Sequence, residues 1–269
     1  MVEALTRHLH AFVREVEPTQ AEWESAIGFL TRVGALCDDQ RQEFILLSDV
    51  LGVSMLVDAI NHRKPPGATE STVLGPFHVV ASPVRELGDD IAADQGAPRC
   101  LVRGRVLDLQ GDPVAGAAVD VWQADGHGLY DVQKDGTTPD LRGLFTCDDE
   151  GRYWFTTVVP SHYPIPSDGP VGHLLRSTGR HPFRPAHIHF IVDALGYTPV
   201  TTHLFVEDSP YLDDDAVFGV KQSLVRAVRR ERDPETARRA GLEVPYQVVD
   251  FDIALAPVTQ ETAGLRPVP

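Results

Sequence analysis

The chain has 269 residues, 42% hydrophobic and 23% charged, enough to bury a core as one large β domain or as two smaller units. Its net charge of −15 would repel a nucleic-acid backbone and an anionic membrane surface alike, and reads as a solubility feature. Cys37, Cys100 and Cys147 form no Cys-x-x-Cys, Glu3 stands where a secretory leader is basic and then apolar, and no apolar run approaches the ~18 residues of a spanning helix, so a cytoplasmic chain is expected.

Residues 1 to 62 carry helical periodicity. Leu5, Phe12 and Val16 begin one stripe. Thr19-Gln20-Ala21-Glu22 has the capping-box pattern, and Trp23, Ile27, Leu30 and Gly34 follow at helical spacing. Asp38 or Asp39 is placed to cap a third helix, whose Phe44, Leu47, Leu51 and Met55 make the next stripe. Three helices form only a small bundle, so these stripes serve as core or as a subunit interface. Pro65-Pro66-Gly67 ends the helical part. From Thr69 to about 98 the chain has no clean period and is long for an idle connection, which marks it as lining something.

From Cys100 the texture changes to strands and turns. Strands are expected over 101–108, 117–123, 152–159, 187–192, 200–206 and 246–255, with turn chemistry at Gln110-Gly111-Asp112-Pro113 and Asp148-Asp149-Glu150-Gly151. A short helix is expected near 217–230, and a loose tail after Pro257. Short strands between turn signals point to an antiparallel β-sandwich. The fold class is therefore mainly β with α, a helical bundle followed by a sandwich.

His187 and His189 lie on the 187–192 strand. Residues i and i+2 of a strand project to the same face, so the two imidazoles stand side by side, near enough to share a metal ion. Imidazole suits iron, copper, zinc and nickel, so the pair alone does not choose among them. Tyr130 and Tyr163 sit in loops bounded by glycine or proline, where binding groups tend to gather. Two phenolates with two imidazoles would favour Fe(III), because their charge offsets most of the ion's. Spacing does not by itself bring these four together, and on the residues alone a half-buried tyrosine with a bonded hydroxyl is the favoured reading of either phenol.

The segments Val73-Leu74-Gly75-Pro76-Phe77, Val119-Asp120-Val121-Trp122-Gln123-Ala124, Gly151-Arg152-Tyr153 and Gly179 through Phe190 resemble the intradiol ring-cleavage dioxygenases. The likeness runs from about residue 20 to 255. Phe44 through Leu56 and Tyr211 through Lys221 resemble the family's hydroxyquinol branch. The resemblance implies that Tyr130, Tyr163, His187 and His189 ligate one Fe(III) per subunit. It implies that Tyr163 takes a substrate proton and that Arg184 stabilises negative charge developing on the ring. It places the substrate pocket at Leu46, Asp49, Val73, Leu74, Gly75, Pro76, Ile165, Pro166, Arg184 and Val217. Within that apolar set, Asp49 offers an acceptor for a third ring hydroxyl, favouring hydroxyquinol over catechol or chlorocatechols. His203 stands where catechol enzymes of the family have glutamine, and is read as a mark of the branch, with a fifth metal ligand as the competing idea.

The resemblance further implies a helical dimerisation domain over 1–72, a linker lining the site over 73–97 and a catalytic sandwich over 98–269. It implies a homodimer joined through the N-terminal helices, with a phospholipid at that interface. The substrate would be an aromatic diol or triol, cleaved with dioxygen and without NADH or flavin to a cis,cis-muconate. Two readings from other classes compete. A cupin-like metal enzyme would use His187-x-His189 with Asp193, leaving both tyrosines idle. A non-enzymatic prealbumin-like binding domain would account for Gly111 through Ala117 and Gly151-Arg152-Tyr153, but not for the Tyr and His set.

Overall fold

The computed structural model describes residues 1–38, 41–92, 98–134 and 139–258. The chain opens with four helices, α1 (Val2–Val16), α2 (Gln20–Ala35), α3 (Glu43–Val50) and α4 (Val53–Asn61). The capping box at the head of α2 forms as its pattern predicts. Thr19 accepts from the Glu22 amide at 3.3 Å, and the Glu22 carboxylate accepts from the Thr19 amide at 2.8 Å. The third helix of the sequence reading is two helices. The chain turns at Leu51-Gly52, with Gly52 left-handed at φ +73°, before α4 begins. Its start also differs from expectation. Gln42 holds the cap position without a side-chain bond, and Asp38 instead accepts from the Arg41 amide. Asp39 and the tail from residue 259 lie outside the described residues.

The β part contains β1 (Arg99–Leu107), β2 (Ala118–Gln123), β3 (Arg142–Thr146), β4 (Arg152–Val158), β5 (Tyr163–Pro164), β6 (Phe183–Arg184), β7 (His187–Asp193) and β8 (Val200–Val206). It ends with β9 (Val225–Arg226), β10 (Arg229–Glu231), β11 (Tyr246–Asp250) and β12 (Ile253–Ala254). Helix α5 (Pro170–Ser177) precedes β6, and α6 (Pro234–Arg239) precedes β11. One sheet is ordered β3-β2-β7-β8-β9. In the other, β1 pairs antiparallel with β4 on one edge and parallel with β11 and then β12 on the opposite edge, while β10 extends β11. Most pairings are antiparallel, and β8 with β9 is a further parallel one. The inner faces meet over Val102, Val106, Val119, Val121, Phe155, Phe190, Phe205 and Phe251. Val119 and Val121 on β2, and Ile188, Phe190 and Val192 on β7, reach this core at alternate positions, as the period-two pattern predicts, whereas β8 is buried almost throughout.

Of the helix expected near 217–230 only a single 3-10 turn forms, Gln222–Leu224. Val225 and Val228 pack against the sandwich core, and β9 runs beside Phe205 and Val206, so burial holds these residues extended. The helix lies downstream as α6, capped by the Asp233 carboxylate.

A second apolar cluster joins the helices to the sandwich. Val33, Leu47 and Val50 from α2 and α3 pack on Ile165, Val171, Leu175, Ala216 and Val217. The opposite side of the helical part is uncovered. Helix α1 buries none of its residues, and Leu5, Leu9, Phe12, Val16, Trp23 and Ile27 stay exposed.

Candidate metal centre

The sheet that carries β7 sets the geometry. His187 and His189 point to one face, and His203 on β8 stands directly across from His189. The His187 and His189 Nε2 atoms lie 3.1 Å apart. The Tyr130 hydroxyl lies 2.9 Å from His189 Nε2 and 3.3 Å from the Tyr163 hydroxyl. All four side chains are at most 3% exposed. The structure thus brings together every residue of the expected ligand set.

Each is held from behind. The His187 Nδ1–H donates to the Pro185 carbonyl at 2.7 Å, which turns Nε2 and its lone pair toward the other donors. Trp122 stacks on His189 with centroids 4.6 Å apart, and Phe77 stacks on Tyr130 at 4.4 Å. Tyr163 is fixed by the short β5·β6 pairing, in which it faces Arg184. The Tyr130 loop is built on two carboxylates. Asp125 accepts from the His127 and Leu129 amides and pairs with Lys134, and Asp131 forms a buried two-pronged pair with Arg142. Gly128 lets this loop meet the Tyr163 strand, since a Cβ there would come within 2.8 Å of the His162 carbonyl oxygen.

Electrostatics keep the imidazoles free of protons. Burial, with the nearby Arg184 charge, pushes His187 down to about 3. Burial and neighbouring histidines hold His189 and His203 well below the ordinary imidazole range, so their lone pairs are free at neutral pH. Burial also pushes the Tyr130 phenol well above its usual value, a bias that a bound cation reverses. Donor atoms about 3 Å apart are spaced as neighbours around one first-row ion with bonds of about 2.1 Å. The donor set is nitrogen and oxygen without sulfur, which fits iron.

The pocket residues divide. Ile165 and Val217 are buried in the apolar cluster that joins helices and sandwich, with Leu46 and Val73 packed against it. Gly75 lies against the His189 ring. Leu74, Pro76 and Pro166 are exposed in the single chain. Asp49 is half-buried at the end of α3, and burial raises its pKa, opposed by Ser54 and the Arg184 charge and aided by Asp215.

Arg184 is buried, with Nη1 3.4 Å from His187 Nε2. Its partner, Asp215, was not read from the sequence. Asp215 sits in the run Asp213-Asp214-Asp215, and nothing in that run points to an arginine 31 positions earlier. His203, read from the resemblance as a mark of the branch, is fully buried, and with His187 and His189 it forms a group whose donor atoms lie within 4.8 Å of one another.

Comparison with known proteins agrees with this geometry. A family model described as "Dioxygenase" matches residues 76–257, and one described as "Catechol dioxygenase N terminus" matches residues 1–69. The chain is 55% identical to hydroxyquinol 1,2-dioxygenase of Rhizobium sp., over 95% of this chain and 88% of that one. It is 51% identical to 6-chlorohydroxyquinol 1,2-dioxygenase of Cupriavidus pinatubonensis, over 96% and 90%. Among solved structures, hydroxyquinol 1,2-dioxygenase from Pseudomonas putida superposes with a TM-score of 0.90 at 49% identity, covering 95% of this chain and 90% of that one. Catechol 1,2-dioxygenase from Acinetobacter radioresistens gives 0.83 at 28%, covering 97% and 85%.

Proposed function

This chain belongs to the intradiol ring-cleavage dioxygenases, a family of non-haem iron enzymes, and on that premise we propose that it cleaves hydroxyquinol (1,2,4-trihydroxybenzene) with dioxygen. The ring opens between its adjacent hydroxylated carbons. The product is 3-hydroxy-cis,cis-muconate, the enol form of maleylacetate. The observation that carries the reading is the buried meeting of two phenol oxygens and two imidazole nitrogens, each 2.9–3.3 Å from a neighbour.

Tyr130, Tyr163, His187 and His189 would hold one Fe(III) per subunit. The bound ion supplies Lewis acidity that draws electron density from a chelated ortho-diphenol toward the metal. The chain's own residues do the rest. The Tyr163 oxygen receives one phenolic proton of the substrate. Tyr130, stacked on Phe77 and boxed by its loop, keeps its place and its charge. Arg184 is charged throughout and turns Nη1 toward the chamber, where it offsets negative charge gathering on the ring. Leu46, Val73, Ile165 and Val217 give an apolar wall that suits a flat ring and excludes water. Leu74, Gly75, Pro76 and Pro166 complete the rim. The Asp49 carboxylate accepts a hydrogen bond from the third hydroxyl. A catechol leaves that acceptor unpaired, which disfavours it.

The uncovered apolar stripes of α1 and α2 support a homodimer formed through residues 1–72, and the phospholipid between the helices rests on the family resemblance alone. The linker reading of 73–97 and the catalytic reading of 98–269 are part of this proposal, with 93–97, 135–138 and 259–269 lying outside the described residues. Three free cysteines suit a cytoplasmic enzyme. Among the described residues, no helix is long and apolar enough to cross a membrane.

A second reading has one observation behind it. His187, His189 and His203 could hold a metal as a three-histidine set, as in a cupin-like site, leaving the tyrosines unused. Oxygen uptake measured in parallel with hydroxyquinol, catechol and 4-chlorocatechol tests the proposal. It expects one dioxygen consumed per hydroxyquinol without added reductant, and a lower kcat/KM for the other two. Uptake that requires a reductant, or that favours catechol, would overturn it.

A further inference from the structure

We propose that Asp215 is the positioning residue for Arg184, an inference that rests on the function proposed above. The pair is a fork on a fork. Arg184 Nε donates to Asp215 Oδ1 at 3.1 Å, and Nη2 donates to Oδ2 at 3.2 Å. Arg184 is 2% exposed and Asp215 4%. The carboxylate is itself immobilised, because Oδ1 accepts from the Val217 amide at 3.3 Å and Oδ2 from the Gly219 amide at 2.9 Å. Two prongs of the guanidinium are thus spent on Asp215. The third, Nη1, is left facing His187 Nε2.

The surrounding loop is shaped to keep this arrangement. A Cβ at Gly219 would come within 2.7 Å of Arg184 Nη2 and 3.1 Å of Asp215 Oδ2, so a side chain there would push the guanidinium aside. The loop is clamped outside the chamber as well. Arg180 donates to the Ala216 carbonyl at 3.0 Å, and its guanidinium lies 4.9 Å over the Phe218 ring. Val217, two residues after Asp215, belongs to the apolar wall. One short loop therefore sets both a face of the pocket and the aim of its cation. A free arginine side chain has several rotamers, whereas a fork-bound one has its direction fixed before substrate arrives.

A purely structural ion pair would also be buried, so the test must read aim and not only stability. Asp215→Asn keeps the shape and removes the charge. In the iron-loaded variant, the crystal structure should show the Arg184 guanidinium turned away from His187, with iron content and visible spectrum unchanged. The kcat for hydroxyquinol should fall about 100-fold, the scale of a misplaced catalytic group, with a smaller change in KM. Adding Asp215→Asn to Arg184→Gln should cost nothing beyond Arg184→Gln alone. Gly219→Ala, which keeps both charges and crowds Nη2, should give the same pattern if Asp215→Asn does not fold. An unmoved guanidinium, a wild-type kcat, or losses that multiply in the double variant would overturn the inference. Inactivity of the unmodified chain on hydroxyquinol counts against the proposed function instead, and the guanidinium's position still decides the role of Asp215.

Discussion

A carboxylate that loses water on burial needs hydrogen-bond donors in exchange, and Asp49, half-buried at the end of α3, is the residue proposed to meet the third ring hydroxyl. Burial raises its pKa, while Ser54 and Arg184 pull it back. A third ring hydroxyl would supply a further donor. Asp49→Ala should therefore lower kcat/KM for hydroxyquinol by about 10–100-fold and leave catechol nearly unchanged, since one buried hydrogen bond is worth about 1–3 kcal/mol. Competition assays with both substrates check this, and equal losses would remove Asp49 from recognition. At this scale the sequence was legible where chemistry repeats locally. His187 and His189 share a strand face by period alone, but Tyr130 and Tyr163 needed the family resemblance, because a loop carries no period. Asp215 was illegible, since its partner is far along the chain and one of three consecutive aspartates looks like a solvated surface run. His203 could be placed by resemblance, yet only the fold shows it directly across from His189, in one group with His187.

The loop from Asp125 to Lys134 shows how a non-periodic segment is made rigid. Burial would raise the Asp125 pKa, but the Leu129 amide, Lys134 and the His127 amide outweigh it and leave the carboxyl below its ordinary value. A pKa lowered by folding means that the ionised carboxylate stabilises the fold above the unfolded value of about 3.9 and stops doing so as pH falls through the lower folded value. Asp125→Asn should cost about 1–3 kcal/mol at pH 7. In thermal melts the gap between wild type and variant should persist at neutral pH and close below about pH 3.9. A gap that does not change with pH would assign the loss to shape and not to charge. Elements were legible in proportion to their period. The capping box and most sandwich strands follow their patterns, but the strand expected over 246–255 is two, β11 and β12, and β3 was not read from the sequence. The helix expected near 217–230 failed because Val225 and Val228 are recruited by the core, a tertiary demand that overrides a local one.

For the molecule as a whole, the helical part faces two ways. Val33, Leu47 and Val50 meet the sandwich, while Phe12 and Trp23 are 58% and 52% exposed. An uncovered apolar stripe of this kind suits a second copy of the chain. Gel filtration at micromolar concentration should show a dimer for the wild type and a monomer for a chain carrying Phe12→Asp and Trp23→Asp. A wild-type monomer would contradict the interface. The helical content of residues 1–62 was readable from its stripes, but which side of each stripe met the sandwich was not, because both sides offer apolar residues.

The account stands on two tyrosine oxygens joining two histidine nitrogens on one ferric ion. The visible absorption spectrum of the purified, iron-loaded protein tests this most directly. Tyrosinate coordinated to Fe(III) gives a burgundy charge-transfer band, and Tyr130→Phe should weaken and shift it with the iron still bound. A colourless iron-loaded protein, or a spectrum indifferent to both Tyr130→Phe and Tyr163→Phe, would contradict the account and favour the three histidines.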